Sequence, residues 1–147
     1  MNDAHLHLLI NHFPIVGIIF GFGILVAGII LKNKSVQNTA YIIFIICMIL
    51  GKVSMFTGEK AENIVENLGF SHDLIHEHEE QAEIYMKMAY ALGAISILSL
   101  LANIKNHTKA KLFSFLTVTL AVVTIILSKA VGTSGGAIRH TEISQKC

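Results

Sequence analysis

Four apolar runs, each about as long as a bilayer is thick, govern what this chain can become. They cover residues 13–31, 40–57, 84–104 and 112–131. Crossing a hydrocarbon core takes about 20 helical residues. Inside lipid every backbone N–H and C=O must find its partner within the protein, which leaves helices or closed barrels. Runs this long and this continuously apolar read as helices. The expected fold is therefore all-α and integral to the membrane. It is an up-down four-transmembrane-helix bundle forming a single domain over 1–147. Only 14% of the residues are charged, against roughly a quarter in soluble domains. A formal net charge of +1 gives no reason to expect a nucleic-acid partner.

The connections differ in sign. Lys32 and Lys34 follow the first run, and Lys105, Lys109 and Lys111 follow the third. The middle connection is acidic, with Glu59, Glu62, Glu66, Asp73, Glu77, Glu79, Glu80 and Glu83. The positive-inside rule then puts the lysine turns in the cytoplasm. Both termini and the acidic connection fall on the outer, periplasmic or extracellular, side of an inner (cytoplasmic) membrane. The acidic connection is expected to be helical. Ala61, Ile64, Val65 and Leu68 recur at helical spacing, Gly69 stops that helix, and Ser71 starts another that leads into the third span. No internal repeat and no low-complexity segment is expected. Cys47 lies mid-span and Cys147 ends the sequence, so no disulfide is expected between them. No cleaved leader is expected either, since Met1 to His5 holds no Lys or Arg.

Of the eight histidines, only His107 falls in a lysine turn. His5, His7, His12, His72, His76, His78 and His140 share the other side. Imidazole is the commonest metal ligand at neutral pH, and histidines on separate helices of a bundle can converge on one centre. His7, His12, His78 and His140 stand at membrane boundaries and are the candidate ligands. The plain alternative is that they are interfacial polar groups doing little, and it fits His5, His72 and His76 best. His72 and His76 share one helical face with Glu79 and Glu80, whereas His78 points along a face that can continue into the bundle core. Pro14 either opens the first span or kinks it, freeing the carbonyl of Ile10.

Gly17 and Gly21 have the GxxxG spacing of close helix packing. The competing expectation is a flat groove that admits a macrocycle. Lys52, Lys87 and Lys129 lie in the outer thirds of their helices, where each snorkels or meets an anion. Gly135 and Gly136 are expected to stop the last helix and let the chain fold back. That would carry Arg139 and His140 towards the other histidines, where Arg139 suits a carboxylate or haem propionate.

Four segments bear a resemblance. They are HLHLLINHFPIVG from His5 to Gly17, FTGEKAE from Phe56 to Glu62, HEEQAE from His78 to Glu83, and GGAIRH from Gly135 to His140. Together they resemble a family of small four-helix bacterial membrane proteins, a domain of unknown function. Its N-terminal His-x4-His-Phe-Pro-Ile pattern is matched by His7, His12, Phe13, Pro14 and Ile15. The resemblance also matches Gly58 near the end of the second helix, His78 at the entry to the third, and Gly135, Gly136 and His140 at the end. Some members look to be fused to c-type cytochrome domains, which implies redox work and haem. Two departures stand out: His7 lacks a following proline, and Glu59 and Glu62 make the end of the second helix acidic.

Three functions compete. The first is a membrane b-type cytochrome, with haem b held by two of His7, His12, His78 and His140 near the outer face. Arg139 would meet a propionate, and electrons would pass to or from a quinol or a soluble cytochrome. The second is a non-haem metal protein. Zinc, copper or iron would be held by the same histidines with Glu59, Glu62 and Glu79, and Glu142 would lie nearby. The third is a cofactor-free subunit of a larger membrane complex or homo-oligomer. The sequence holds no Gly-x-Ser-x-Gly, HExxH or P-loop motif. Electron transfer is therefore expected rather than hydrolase or transferase chemistry.

Overall fold

The computed structural model describes residues 2–140. Five helices follow one another: α1 Asp3–Ile10, α2 His12–Ile30, α3 Lys34–Asn67, α4 His72–Ile104 and α5 Ala110–Arg139. Helices α1 and α2 form one interrupted rod, so four rods are long and apolar enough to cross a membrane. They run up and down. At ~1.5 Å per residue, α3 and α4 are each about 50 Å long, well beyond a ~30 Å hydrocarbon core. Their ends therefore stand clear of it, and the spans proper remain the four apolar runs. One end of the bundle carries Lys32, Lys34, Lys105, Lys109 and Lys111; the other carries His5, His7, His12, His72, His76, His78 and His140.

Local chemistry sets the breaks. The Asn2 side chain accepts from the His5 amide at 2.9 Å and caps α1. Pro14 has no N–H to return to Ile10, and the rod is interrupted at Asn11, just before it. At the lysine end Lys32 takes a positive φ and the Asn33 side chain caps α3 by accepting from Ser35 and Val36. At the far end of α3, Gly69 adopts φ +86, its amide bonds to Glu66 O, and the Phe70 amide bonds to Val65 O. This is a Schellman stop, which glycine permits without a Cβ clash. It lets α4 begin at once, so the acidic connection consists of two helix ends joined by a tight turn.

The bundle interior is built from small and hydroxyl-bearing residues as much as from large apolar ones. Ala40, Ala89, Ala121, Ser96, Ser99, Thr117 and Thr124 are all buried. The buried hydroxyls donate to carbonyls of their own helices, as in Ser96 to Leu92 at 2.7 Å and Thr124 to Leu120 at 2.7 Å. Ser99 and Thr117 also join α4 to α5 at 2.8 Å. Such pairing removes the cost of a polar group in lipid and lets backbones approach. Large apolar side chains face outward instead, among them Phe20, Ile46, Ile49, Leu98, Phe115 and Ile126.

Two expectations need correction. Gly17 and Gly21 do not open a slot for a macrocycle, because Cys47 and Phe44 of α3 already press against them. Their use is close packing of α2 on α3. Gly135 and Gly136 do not stop the last helix; α5 runs through both to Arg139. A helix tolerates glycine where a neighbouring side chain needs the space, which is the case at Gly135. The buried faces of the two hairpins also keep a common register over part of their length. Adding 71 to the numbers of the buried α2 residues Pro14, Ile18, Gly21, Leu25 and Gly28 gives Tyr85, Ala89, Leu92, Ser96 and Ser99, all buried in α4. Adding 77 to Ala40, Phe44, Cys47 and Thr57 of α3 gives Thr117, Ala121, Thr124 and Ser134, all buried in α5, while Tyr41, Gly51 and Ala61 map to the half-buried Val118, Ser128 and Ile138. The letters hide this because few residue types are shared.

Candidate cofactor site

His7 and His78 are half-buried at the histidine end, whereas His5, His12, His72, His76 and His140 are exposed. His7 stands on α1 against α3. Its Nδ1 lies 3.0 Å from Ser54 O and 3.3 Å from Thr57 Oγ1. The Thr57 hydroxyl itself donates to Ser54 O at 3.0 Å. With its hydrogen committed, the Thr57 oxygen can only accept, and a carbonyl only accepts in any case. Nδ1 of His7 must therefore carry the proton, and Nε2 holds the lone pair.

His78 stands on α4 against α5 in the same way. Its Nδ1 lies 3.1 Å from Ser134 Oγ, and the Ser134 hydroxyl donates to Val131 O at 3.2 Å. With the Ser134 hydrogen on Val131 O, Nδ1 of His78 donates in turn and its Nε2 is bare. A metal-binding histidine usually has this arrangement, its second nitrogen donating to a carbonyl or other acceptor that fixes the tautomer.

Both rings rest on glycines. A Cβ placed on Gly58 would come within 3.1 Å of His7 Cε1, and one placed on Gly135 within 2.9 Å of His78 Cε1. A Cβ at Gly135 would force the His78 ring to shift, and one at Gly58 would press the His7 ring by a few tenths of an ångström. Burial lowers the basicity of both rings below the ordinary value, and the charge of His7 adds to the effect at His78. The shift favours the neutral ring, the form that binds metals. Both rings stand at the same end of the bundle, one on the α1–α3 side and one on the α4–α5 side.

Two buried polar atoms near this end have no hydrogen-bond partner among the described residues, Asn11 Oδ1 and Tyr85 Oη. Tyr85 stands two turns below His78 on one face of α4. An unpaired buried hydroxyl costs about 1–3 kcal/mol, so a missing partner such as a water or a bound group fits there. An open groove of about 500 Å³ runs along the α4–α5 seam past Glu77, Gln81, Lys129 and Ser134; His7, His78 and Tyr85 are not among its lining residues.

Most of the other candidate residues are more exposed than this pair. His12 is exposed, although its charge is felt at His7. Arg139 is exposed with its guanidinium 6.0 Å from the Phe70 ring centre, and His140 follows it, also exposed. Glu59 is exposed, and Glu142 lies outside the described residues. Lys52, Lys87 and Lys129 are exposed, with Lys87 3.6 Å from Glu83. Glu62, Glu66 and His72 gather at the α3–α4 turn with ligand atoms within 4.8 Å of one another. There His72 bonds to Glu66, whose hydrogen bond and charge raise the histidine's pKa. Glu79 is held above the ordinary carboxylate value by burial first and by the charge of Glu62 second. Sequence reasoning missed Ser54, Thr57, Val131 and Ser134. Their signal was a hydroxyl directly before each glycine, in Thr57-Gly58 and Ser134-Gly135.

A family described as predicted membrane protein, DUF2231, matches residues 4–142. The chain belongs to that family. The match covers all four spans and both histidine–glycine contacts. No curated protein and no solved structure matches the chain.

Proposed function

We propose that this DUF2231 protein is a membrane b-type cytochrome in which His7 and His78 hold one haem through their Nε2 atoms. The observation that carries the reading is the pair of neutral imidazoles with their Nδ1 atoms tied to uncharged oxygens. A bare metal ion such as zinc asks for about four protein or water ligands. Haem iron asks the protein for two at most, since the macrocycle supplies the rest. Among the described residues the one cluster of three or more ligand-type side chains is Glu62, Glu66 and His72, and neither His7 nor His78 belongs to it.

Bound there, haem would supply one-electron chemistry at its iron, tuned by ligands, burial and hydrogen bonds. The chain's own part is to orient two nitrogens, keep them unprotonated and offer the Tyr85 hydroxyl as a hydrogen-bond donor. The lysines at the opposite end favour a cytoplasmic placement for that end, which would put the histidine pair and both termini outside. Electrons would then be exchanged with a quinol in the bilayer or a cytochrome at the outer surface.

The first test is an absorption spectrum of the detergent-purified chain, oxidised and then dithionite-reduced, with metal analysis on the same sample. A Soret band with sharp reduced α and β bands supports the reading. A colourless protein from haem-replete cells overturns it. A second reading, a non-haem metal site, is favoured by the Glu62, Glu66 and His72 cluster. It predicts zinc, copper or iron that Glu66→Gln releases and that His7→Ala leaves in place.

A further inference from the structure

We infer that the protein consists of two like hairpins, each bringing half of a single ligand site, and that Thr57 and Ser134 are the matched residues positioning the histidine of each half. The inference rests on the proposed His7 and His78 site and adds to it the stoichiometry and the means of orientation.

The shift of 71 that superposes the buried face of α2 on that of α4 also takes His7 to His78. The shift of 77 that superposes α3 on α5 takes Ser54 to Val131, Thr57 to Ser134, Gly58 to Gly135 and Lys52 to Lys129. The two shifts differ by six because the second hairpin has six more residues between its matched faces, two of them in the turn and the rest in longer helix ends. A helix repeats about every 3.6 residues, so agreement of buried faces counts as one coincidence of about one in four per helix pair. The chemistry that coincides is independent of that phase. In each half an imidazole rests on a glycine, a hydroxyl sits one residue before that glycine, and a carbonyl sits four residues before it. In each half the hydroxyl donates to that carbonyl, at 3.0 Å for Thr57 and 3.2 Å for Ser134. In each half the hydroxyl oxygen faces the ring's Nδ1, at 3.3 Å for His7 and 3.1 Å for His78.

Two like halves that join at one end of a bundle present two like nitrogen donors, so the site takes one bound group per chain. The halves differ in one detail. Ser54 O lies 3.0 Å from His7 Nδ1 and holds that ring even without Thr57. His78 depends chiefly on Ser134, with Val131 O in support.

The test uses the full chain in detergent, unloaded, with histidine labelled by nitrogen-15. At a pH above the ordinary histidine value of about 6.5, both His7 and His78 are expected as the Nδ1–H tautomer. Ser134→Ala should move His78 towards a mixture with Nε2–H, Ser134→Thr should restore it, and Thr57→Val should change His7 less. Finding either ring as Nε2–H in the unaltered chain, or no response to Ser134→Ala, overturns the inference. Haem titration then reads the stoichiometry. One haem per chain, lost to the same extent in His7→Ala and His78→Ala, supports matched halves. Two haems per chain, or one histidine dispensable, overturns them. A chain that takes up no haem but shows both rings as Nδ1–H sinks the proposed function while supporting the matched halves.

Discussion

His7 and His78 sit half-buried with Nδ1 against uncharged oxygens, while His72 and His76 sit exposed among carboxylates. His72 pairs with Glu66, and His76 lies 3.5 Å from Glu80 and 3.9 Å from Glu79. Both arrangements satisfy a histidine, but to opposite ends. A carboxylate partner favours the protonated ring and stabilises a charge in water. A carbonyl or committed hydroxyl in a half-buried site favours the neutral ring and leaves one nitrogen for something else. What separates the two kinds of histidine here is the partner of Nδ1, not the number of histidines nearby.

The largest effect that could break this contrast is at the pair itself. His7→Ala and His78→Ala should each abolish the haem absorption, while His12→Ala, His72→Ala and His140→Ala should retain it. A spectrum that survives loss of His7 or His78 would put the site elsewhere. Next come the glycines. An added Cβ crowds His78 more than His7, so Gly135→Ala should cost about 1–3 kcal/mol as overpacking and weaken haem binding, with Gly58→Ala milder. Thermal unfolding with and without haem reads both. Tyr85→Phe removes an unpaired buried hydroxyl and should stabilise the unloaded chain by about 1 kcal/mol; a loss of stability would mean that Tyr85 has an unseen partner.

The smallest effect is at the exposed pair. The pKa of His72 is raised above its ordinary value by Glu66. Its contribution to stability is therefore full below the ordinary histidine pKa and lost as pH rises through the raised one. The melting temperature of the parent chain should exceed that of Glu66→Gln slightly in mild acid, and the two should converge at higher pH. With His72 70% exposed in its side chain, solvent and salt screening keep this gap small. A large gap, or one that widens with pH, would contradict the assignment.

The amino-acid sequence alone determined the spans, since their length and lack of charge admit nothing but helices in lipid. It also determined the stop at Gly69, where a glycine ahead of Ser71 marks a helix end by backbone chemistry that needs no distant partner. It singled out His7 and His78 only as two among four boundary histidines. Choosing between them required knowing which rings meet Gly58 and Gly135, residues 51 and 57 positions away in the chain. The role of Gly135 and Gly136 was misjudged for the same reason. Two glycines end a helix in isolation, yet here the ring of His78 occupies the space that Gly135 leaves. The pairing of hairpins was equally hidden, because Pro14 answers to Tyr85 and Phe44 to Ala121, residues alike in burial and in nothing else. Membrane insertion depends on composition summed along each helix, which a sequence states directly. A ligand site depends on which faces of four helices meet, and that is settled only when the small residues between them let the backbones close.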